Sequence, residues 1–113
     1  MAVHEMRLNK KPFEMIKSGK KTVELRLYDE KRRKLAVGDK IIFRNTESNE
    51  TLSVTISGLH IYDSFRELYK HFDKSSIGYE ENEIPDPNDM NEYYTPTEQE
   101  KFGVIGIEIY SKI

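Results

Sequence analysis

The chain has no cysteine and no tryptophan, and only four prolines and six glycines among 113 residues. Without cysteine there can be neither a disulfide scaffold nor a thiolate metal site, and the composition suits a reducing cytoplasm. No apolar run approaches the roughly 20 residues that a membrane helix needs. Residues 1–11 carry charge throughout and lack the apolar stretch of a secretory signal, so the expectation is a cytoplasmic protein without a membrane partner. Disorder is excluded by what is present: seven tyrosines and five phenylalanines, more aromatic surface than an unfolded chain carries. The length suits one domain, residues 1–113, with one core.

Charge of one sign is scarce in each half. Residues 1–44 hold 13 Lys/Arg against 6 Asp/Glu, whereas residues 45–113 hold 5 against 14. Residues 79–100 contain eight acids and no base. Two readings stand: the basic half meets an anionic ligand, or the halves neutralise each other on folding.

The hydropathy pattern gives about five strands and three or four short helices. A first strand spans residues 1–8. A short helix covers 10–18, with Phe13 and Ile16 on one face, Pro12 in its first turn, Asn9 as the candidate cap and Gly19 past its end. From Lys21 to Tyr28 the chain alternates: Val23, Leu25 and Leu27 on one face, Thr22, Glu24, Arg26 and Tyr28 on the other, a half-buried strand. Further strands are expected over Lys40–Arg44, over Thr51–Ile61 with a bend at Gly58, and over Gly103–Tyr110. Asp63 or Ser64 caps a helix over Phe65–Phe72, residues 75–88 are irregular, and Thr95 with Pro96 starts a last helix. There is no βαβ rhythm. Short strands with helices inserted between them predict an α+β fold, a small curled barrel that closes if the last strand pairs with an early one.

The segment Ser18–Tyr28 (SGKKTVELRLY) carries the most chemistry. Glu24 and Arg26, two apart on a strand, share a face about 7 Å apart and can exchange charge-assisted hydrogen bonds directly or through a ligand. Arg26 offers a planar fork to phosphate, carboxylate or a base edge, and Glu24 accepts from an exocyclic amine. Lys21 joins them only if it leaves the apolar face that strict alternation assigns to it. The plain alternative is a solvated ion pair worth under about 1 kcal/mol.

The pattern Gly-x-Lys-x-x-Glu-x-Arg, filled by Gly19, Lys21, Glu24 and Arg26, resembles the signature of ASCH domains, which are similar to the PUA RNA-binding fold. The resemblance covers nearly the whole chain: Pro12, Phe13 and Ile16 precede the motif, Val37-Gly38-Asp39 follows it, and Tyr94 to Ile109 (YTPTEQEKFGVIGIEI) closes it. It implies a PUA-like barrel whose cleft, lined by Lys21, Glu24 and Arg26, binds RNA or a modified nucleoside or nucleotide. One branch of the family consists of amidohydrolases that deacylate N4-acetylcytidine, with a lysine at the Lys21 position, a threonine three residues later and a later glutamate. Here Glu24 replaces the threonine, and the resemblance does not single out which of Glu67, Glu80, Glu81 and Glu83 would be the later glutamate. A hydrolase using Lys21 and Glu24 as acid and base, on acylated cytidine or on RNA, is therefore the alternative to a binding module.

Tyr79, Tyr93 and Tyr94 are candidates for stacking a base, or else pack in the core. Lys31–Lys34 (KRRK) either grips phosphate or is simply solvated. His4, His60 and His71 lack metal-site spacing, and Asp86-Pro87-Asn88-Asp89 lacks the glycine and terminal glutamate of a calcium loop. Neither a metal nor a cofactor is expected. A third reading makes the acidic residues 79–100 a protein-interaction surface.

Overall fold

Five strands follow the predicted order: β1 (Val3–Leu8), β2 (Val23–Leu27), β3 (Lys40–Asn45), β4 (Thr51–Tyr62) and β5 (Val104–Tyr110). In the computed structural model, which describes residues 1–111, they form one mixed sheet in the order β1-β3-β4-β5-β2. Only the β1–β3 pair is parallel. The last strand does pair with an early one, β5 with β2 from Val23↔Glu108 to Leu27↔Val104. The two outer strands, β1 and β2, are not paired to each other, so the sheet is a strongly curled half-barrel with an open seam. Side chains bridge that seam. Arg26 Nη2 donates to the Arg7 carbonyl at 2.8 Å, and Lys31 Nζ donates to the Glu5 carbonyl at 2.8 Å.

The connections follow local chemistry. Helix α1 (Lys10–Lys17) buries Phe13, Met15 and Ile16 and ends at Gly19, whose φ of 84° is open to glycine at little cost. Asn9 holds the cap position with extended backbone, but its side chain makes no capping bond. The run Arg32–Lys34 is a single 3-10 turn. Strand β4 shifts register between Ile56 and Gly58, the bulge that Gly58 suggested. Helix α2 (Phe65–Tyr69), capped by Ser64, is shorter than expected, because Lys70 and His71 donate back to Glu67 and Leu68 in a tight final turn. Helix α3 (Pro96–Phe102) opens with a capping box, Thr95 and Glu98 each satisfying the other's backbone N–H.

Two apolar clusters lie on opposite faces of the sheet. The inner one gathers Met6, Leu8, Ile41, Phe43, Val54, Ile56 and the odd-numbered isoleucines of β5 beneath α1. The outer one gathers Val23, Leu25 and Leu27 with Phe65, Leu68, Ile77, Met90 and Val104. Strand β2 is therefore covered on both sides, which corrects the half-buried reading. Its apolar face meets the outer cluster, while Glu24 and Arg26 turn to the inner face.

Candidate functional site

The seam opens into a cleft of about 550 Å³. Its floor comes from the β2 region: Lys21, Glu24 and Arg26. Lys21 precedes the strand, and its backbone N–H is held by the Met15 carbonyl at the end of α1. It is therefore free of the alternation, and its amine reaches the polar side. Lys21 Nζ lies 2.9 Å from Glu24 Oε1, and Arg26 Nε donates to Glu24 Oε2 at 2.7 Å. The three residues converge, and Glu24 is only 4% exposed. Burial alone pushes its carboxyl up, but the charges of Lys21 and Arg26 and their hydrogen bonds outweigh it and hold the group at about 2. Arg26 is likewise opposed by burial, yet Glu24 beside it keeps the guanidinium firmly protonated.

One wall is polar and basic. Arg7 and Asn9 come from the end of β1 and Lys11 from the start of α1. No pattern in the sequence tied these to the site, since the approach of β1 to β2 is a property of the curled sheet. The facing wall combines the stretch expected to be irregular, residues 75–88, with the 3-10 turn Pro87–Glu92 and the two residues after it. It contributes Tyr79, Glu83, Asp89, Glu92, Tyr93 and Tyr94. The acidic stretch thus borders the cleft, and exposed pairs Lys11–Glu83 (3.9 Å) and Lys20–Glu80 (3.7 Å) tie it to the basic half. Charge neutralisation between the halves is real there, and the Lys17–Glu50 bond at 2.6 Å adds to it.

The three tyrosines differ in how free they are. Tyr79 is committed to the wall: its hydroxyl meets Tyr69 Oη at 3.0 Å and donates to Asp89 Oδ2 at 2.6 Å. Burial and the Asp89 hydrogen bond push its phenol far above the ordinary range. Tyr94 lies parallel to Phe65, centroids 6.2 Å apart, and packs against the outer cluster. Tyr93, 59% exposed, is the freest ring on the cleft.

The remaining candidates are scattered. Lys31 faces the seam, Arg32 is paired with Asp29 at 3.0 Å, and Arg33 lies over the Tyr28 ring. His4 bonds Asp39, His60 bonds Glu108, and His71 stacks on Tyr62, in separate places. Among the described residues, no group of three or more His, Asp or Glu is arranged to hold a metal ion. Asp86 caps the 3-10 turn Pro87–Glu92. No helix is long and apolar enough to cross a membrane.

An α+β half-barrel of five mixed strands with short inserted helices is the PUA-like architecture, usually associated with RNA binding. Within it, the chain belongs to the ASCH domain family, whose model matches residues 6–112. The crystal structure of hypothetical protein PH0355 is 33% identical, covers 97% of this chain and 99% of its own, and superimposes with a TM-score of 0.82. The solution structure of protein PF0455 from Pyrococcus furiosus is also 33% identical, covers 96% of each chain and gives a TM-score of 0.74. No curated protein matches the chain.

Proposed function

We propose that this ASCH domain binds a single nucleobase with its ribose, free or unstacked from an RNA strand, in the seam cleft. The observation that carries the reading is the buried Lys21–Glu24–Arg26 constellation at the foot of a cleft walled by tyrosines. Each Glu24 oxygen spends one lone pair on a cation and keeps another for an exocyclic amine. Lys21 and Arg26 offer donors to a base carbonyl or ring nitrogen, and Tyr93 gives a face for stacking, with Tyr79 and Tyr94 lining the same wall. A volume near 550 Å³ suits a ligand of that size. The carboxylates of Glu83, Asp89 and Glu92 oppose a polyanion lying along the cleft, which favours one unit over a long strand.

The same clamp weighs against general-base catalysis. A carboxylate held at about 2 by two cations is a weak base near neutral pH. The hydrolase reading would then rest on Lys21.

The test is calorimetric binding and chromatographic turnover with a panel of cytidine, N4-acylated cytidines and the other ribonucleosides, alongside Lys21→Ala. The expected result is binding of at least one nucleoside that changes little between about 50 and about 500 mM salt, falls about tenfold or more in Lys21→Ala, and brings no turnover. Turnover that vanishes in Lys21→Ala would replace binding by hydrolysis. Steeply salt-dependent binding of long RNA, with no nucleoside affinity, would overturn the single-unit reading.

A further inference from the structure

A second cavity, about 450 Å³, adjoins the cleft on the outer face of the β1–β3 pair. The parallel register sets Glu5 beside Ile42 and Arg7 beside Arg44, and the loop after β2 adds Lys31 and Arg32. Arg7 and Arg26 line both cavities, so the two meet at the seam. Their chemistry is opposite. The cleft balances its charges, whereas the outer cavity sets Arg7, Arg26, Lys31, Arg32 and Arg44 against Glu5 alone.

Partners outside the cavity do not cancel this. Arg26 is paired with Glu24 and Arg32 with Asp29, but among the described residues no carboxylate lies within 4.0 Å of Arg7, Lys31 or Arg44. With Glu5, Glu24 and Asp29 all counted, two positive charges are left over. Two of the uncompensated cations are nevertheless held in place, Lys31 by the Glu5 carbonyl at 2.8 Å and Arg44 by the Asn49 carbonyl at 3.2 Å. Arg32 Nε is buried with no acceptor. The crowding has a cost: desolvation and then the charges of Arg32 and Arg26 lower the proton affinity of the Lys31 amine. Fixed, crowded, unneutralised cations of this kind are what an oxyanion with two negative charges would relieve, and arginine forks suit phosphate oxygens.

We propose that the outer cavity is a phosphate subsite, so that the ligand of the seam is a phosphorylated nucleoside, its base in the tyrosine-walled cleft and its phosphate on Arg7, Lys31 and Arg44. The pairing of the two sites rests on the base-binding reading above; the phosphate site stands on its own cations. The shared chemistry is a phosphate group, from a nucleotide's terminal monoester or from the backbone of an RNA strand.

The first arm titrates the whole chain with inorganic phosphate at low ionic strength, following backbone amides by NMR against a chloride control of equal ionic strength. Saturable shifts are expected at residues 5–7, 31–32 and 42–44. They should be lost in the double variant Lys31→Gln/Arg44→Gln, two exposed positions, with circular dichroism checking that its fold matches the parent, and kept in Lys21→Ala. Shifts no larger than with chloride, or unchanged in the double variant, would overturn the subsite.

The second arm compares cytidine with its 5′-monophosphate and with a short RNA lacking a terminal phosphate. A preference of about tenfold for the monophosphate, abolished in the double variant, supports a free nucleotide. The same preference shown by the oligonucleotide supports a backbone phosphate. Equal affinity for cytidine and its monophosphate overturns the joint site. Failure of every nucleoside, with the phosphate titration intact, sinks the base-binding reading alone.

Discussion

Glu24 stands directly across from Ile107 in the β2–β5 ladder, so its carboxylate enters the face of the sheet that Ile107 fills with hydrocarbon. Arg26 repeats the relationship with Ile105. A charged pair has been placed where the core would otherwise continue to the edge. An ionised group in that position persists only because Lys21 and Arg26 close on it from both sides. The floor of the cleft is thus a rigid, pre-paired charge cluster.

The cluster makes stability depend on pH in a defined direction. The Glu24 carboxyl is held at about 2 in the folded chain, against 4.5 for an unperturbed glutamate. As pH falls, the unfolded state takes up the proton first. The contribution is therefore complete above about pH 4.5 and is lost as pH falls through about 2; in full it is on the order of 3 kcal/mol. Urea unfolding from pH 7 down to pH 2 should show this loss. Glu24→Gln should start about 3 kcal/mol lower at pH 7, with two cations left facing a neutral amide, and show a flatter pH profile. Parallel profiles for the two proteins would show that the clamp does not set the acid limb.

The acidic wall is tied together by one hydroxyl. Tyr79 Oη contacts Tyr69 Oη, Asp89 Oδ2 and the Asp86 carbonyl, at 3.0, 2.6 and 3.1 Å. Tyr79→Phe keeps the ring and removes all three, together with the acceptor for the Asp86 N–H at 3.4 Å. It should cost about 1–2 kcal/mol in urea unfolding, with faster amide exchange confined to residues 79–94. Unchanged exchange there would mean that the wall is held by packing alone.

Helix α3 has no fully buried residue and packs on the outer cluster through the half-buried Phe102, so its first turn carries much of its stability. Thr95 Oγ1 accepts from the Glu98 N–H at 3.1 Å, and Glu98 Oε1 accepts from the Thr95 N–H at 3.0 Å. Thr95→Ala should cost about 1 kcal/mol, and Thr95→Ser, which restores the acceptor, should recover most of it. Equal loss in both variants would trace the effect to the threonine methyl group instead.

Much of this was legible in the sequence because it was written in short-range chemistry. The alternation from Val23 to Leu27, the Thr95-Pro96 start, the Ser64 cap and the bulge at Gly58 all follow from neighbours a few residues apart. So does the meeting of Glu24 and Arg26, two apart on a strand. The burial of Glu24 was not legible. An apolar stripe at Val23, Leu25 and Leu27 looks the same whether the other face meets water or a second cluster. Nor could the parallel β1–β3 pairing be read, which sets Arg7 beside Arg44, or the curl of the sheet that brings the Arg7 carbonyl to Arg26. The wall over residues 77–94 has no periodicity at all; its place comes from long-range ties such as Thr22 and Val23 donating to the Ser76 carbonyl.

The same wall gives a test that separates fold from site. Gly78 has φ +105°, and a Cβ there would lie 3.1 Å from Lys21 Cδ. Gly38, at the turn into β3, has φ +95° with nothing within 4 Å of the corresponding position. Gly78→Ala and Gly38→Ala therefore share the backbone strain of a left-handed alanine, about 1–2 kcal/mol in unfolding experiments. Only the first pushes on the lysine stem and moves its amine relative to Glu24. If the cleft binds a nucleoside through Lys21, the two variants should lose similar stability while only Gly78→Ala loses affinity, by about tenfold. Equal affinity in both would show that the position of the Lys21 amine does not govern binding, and would move the recognition step to Arg26 and Tyr93.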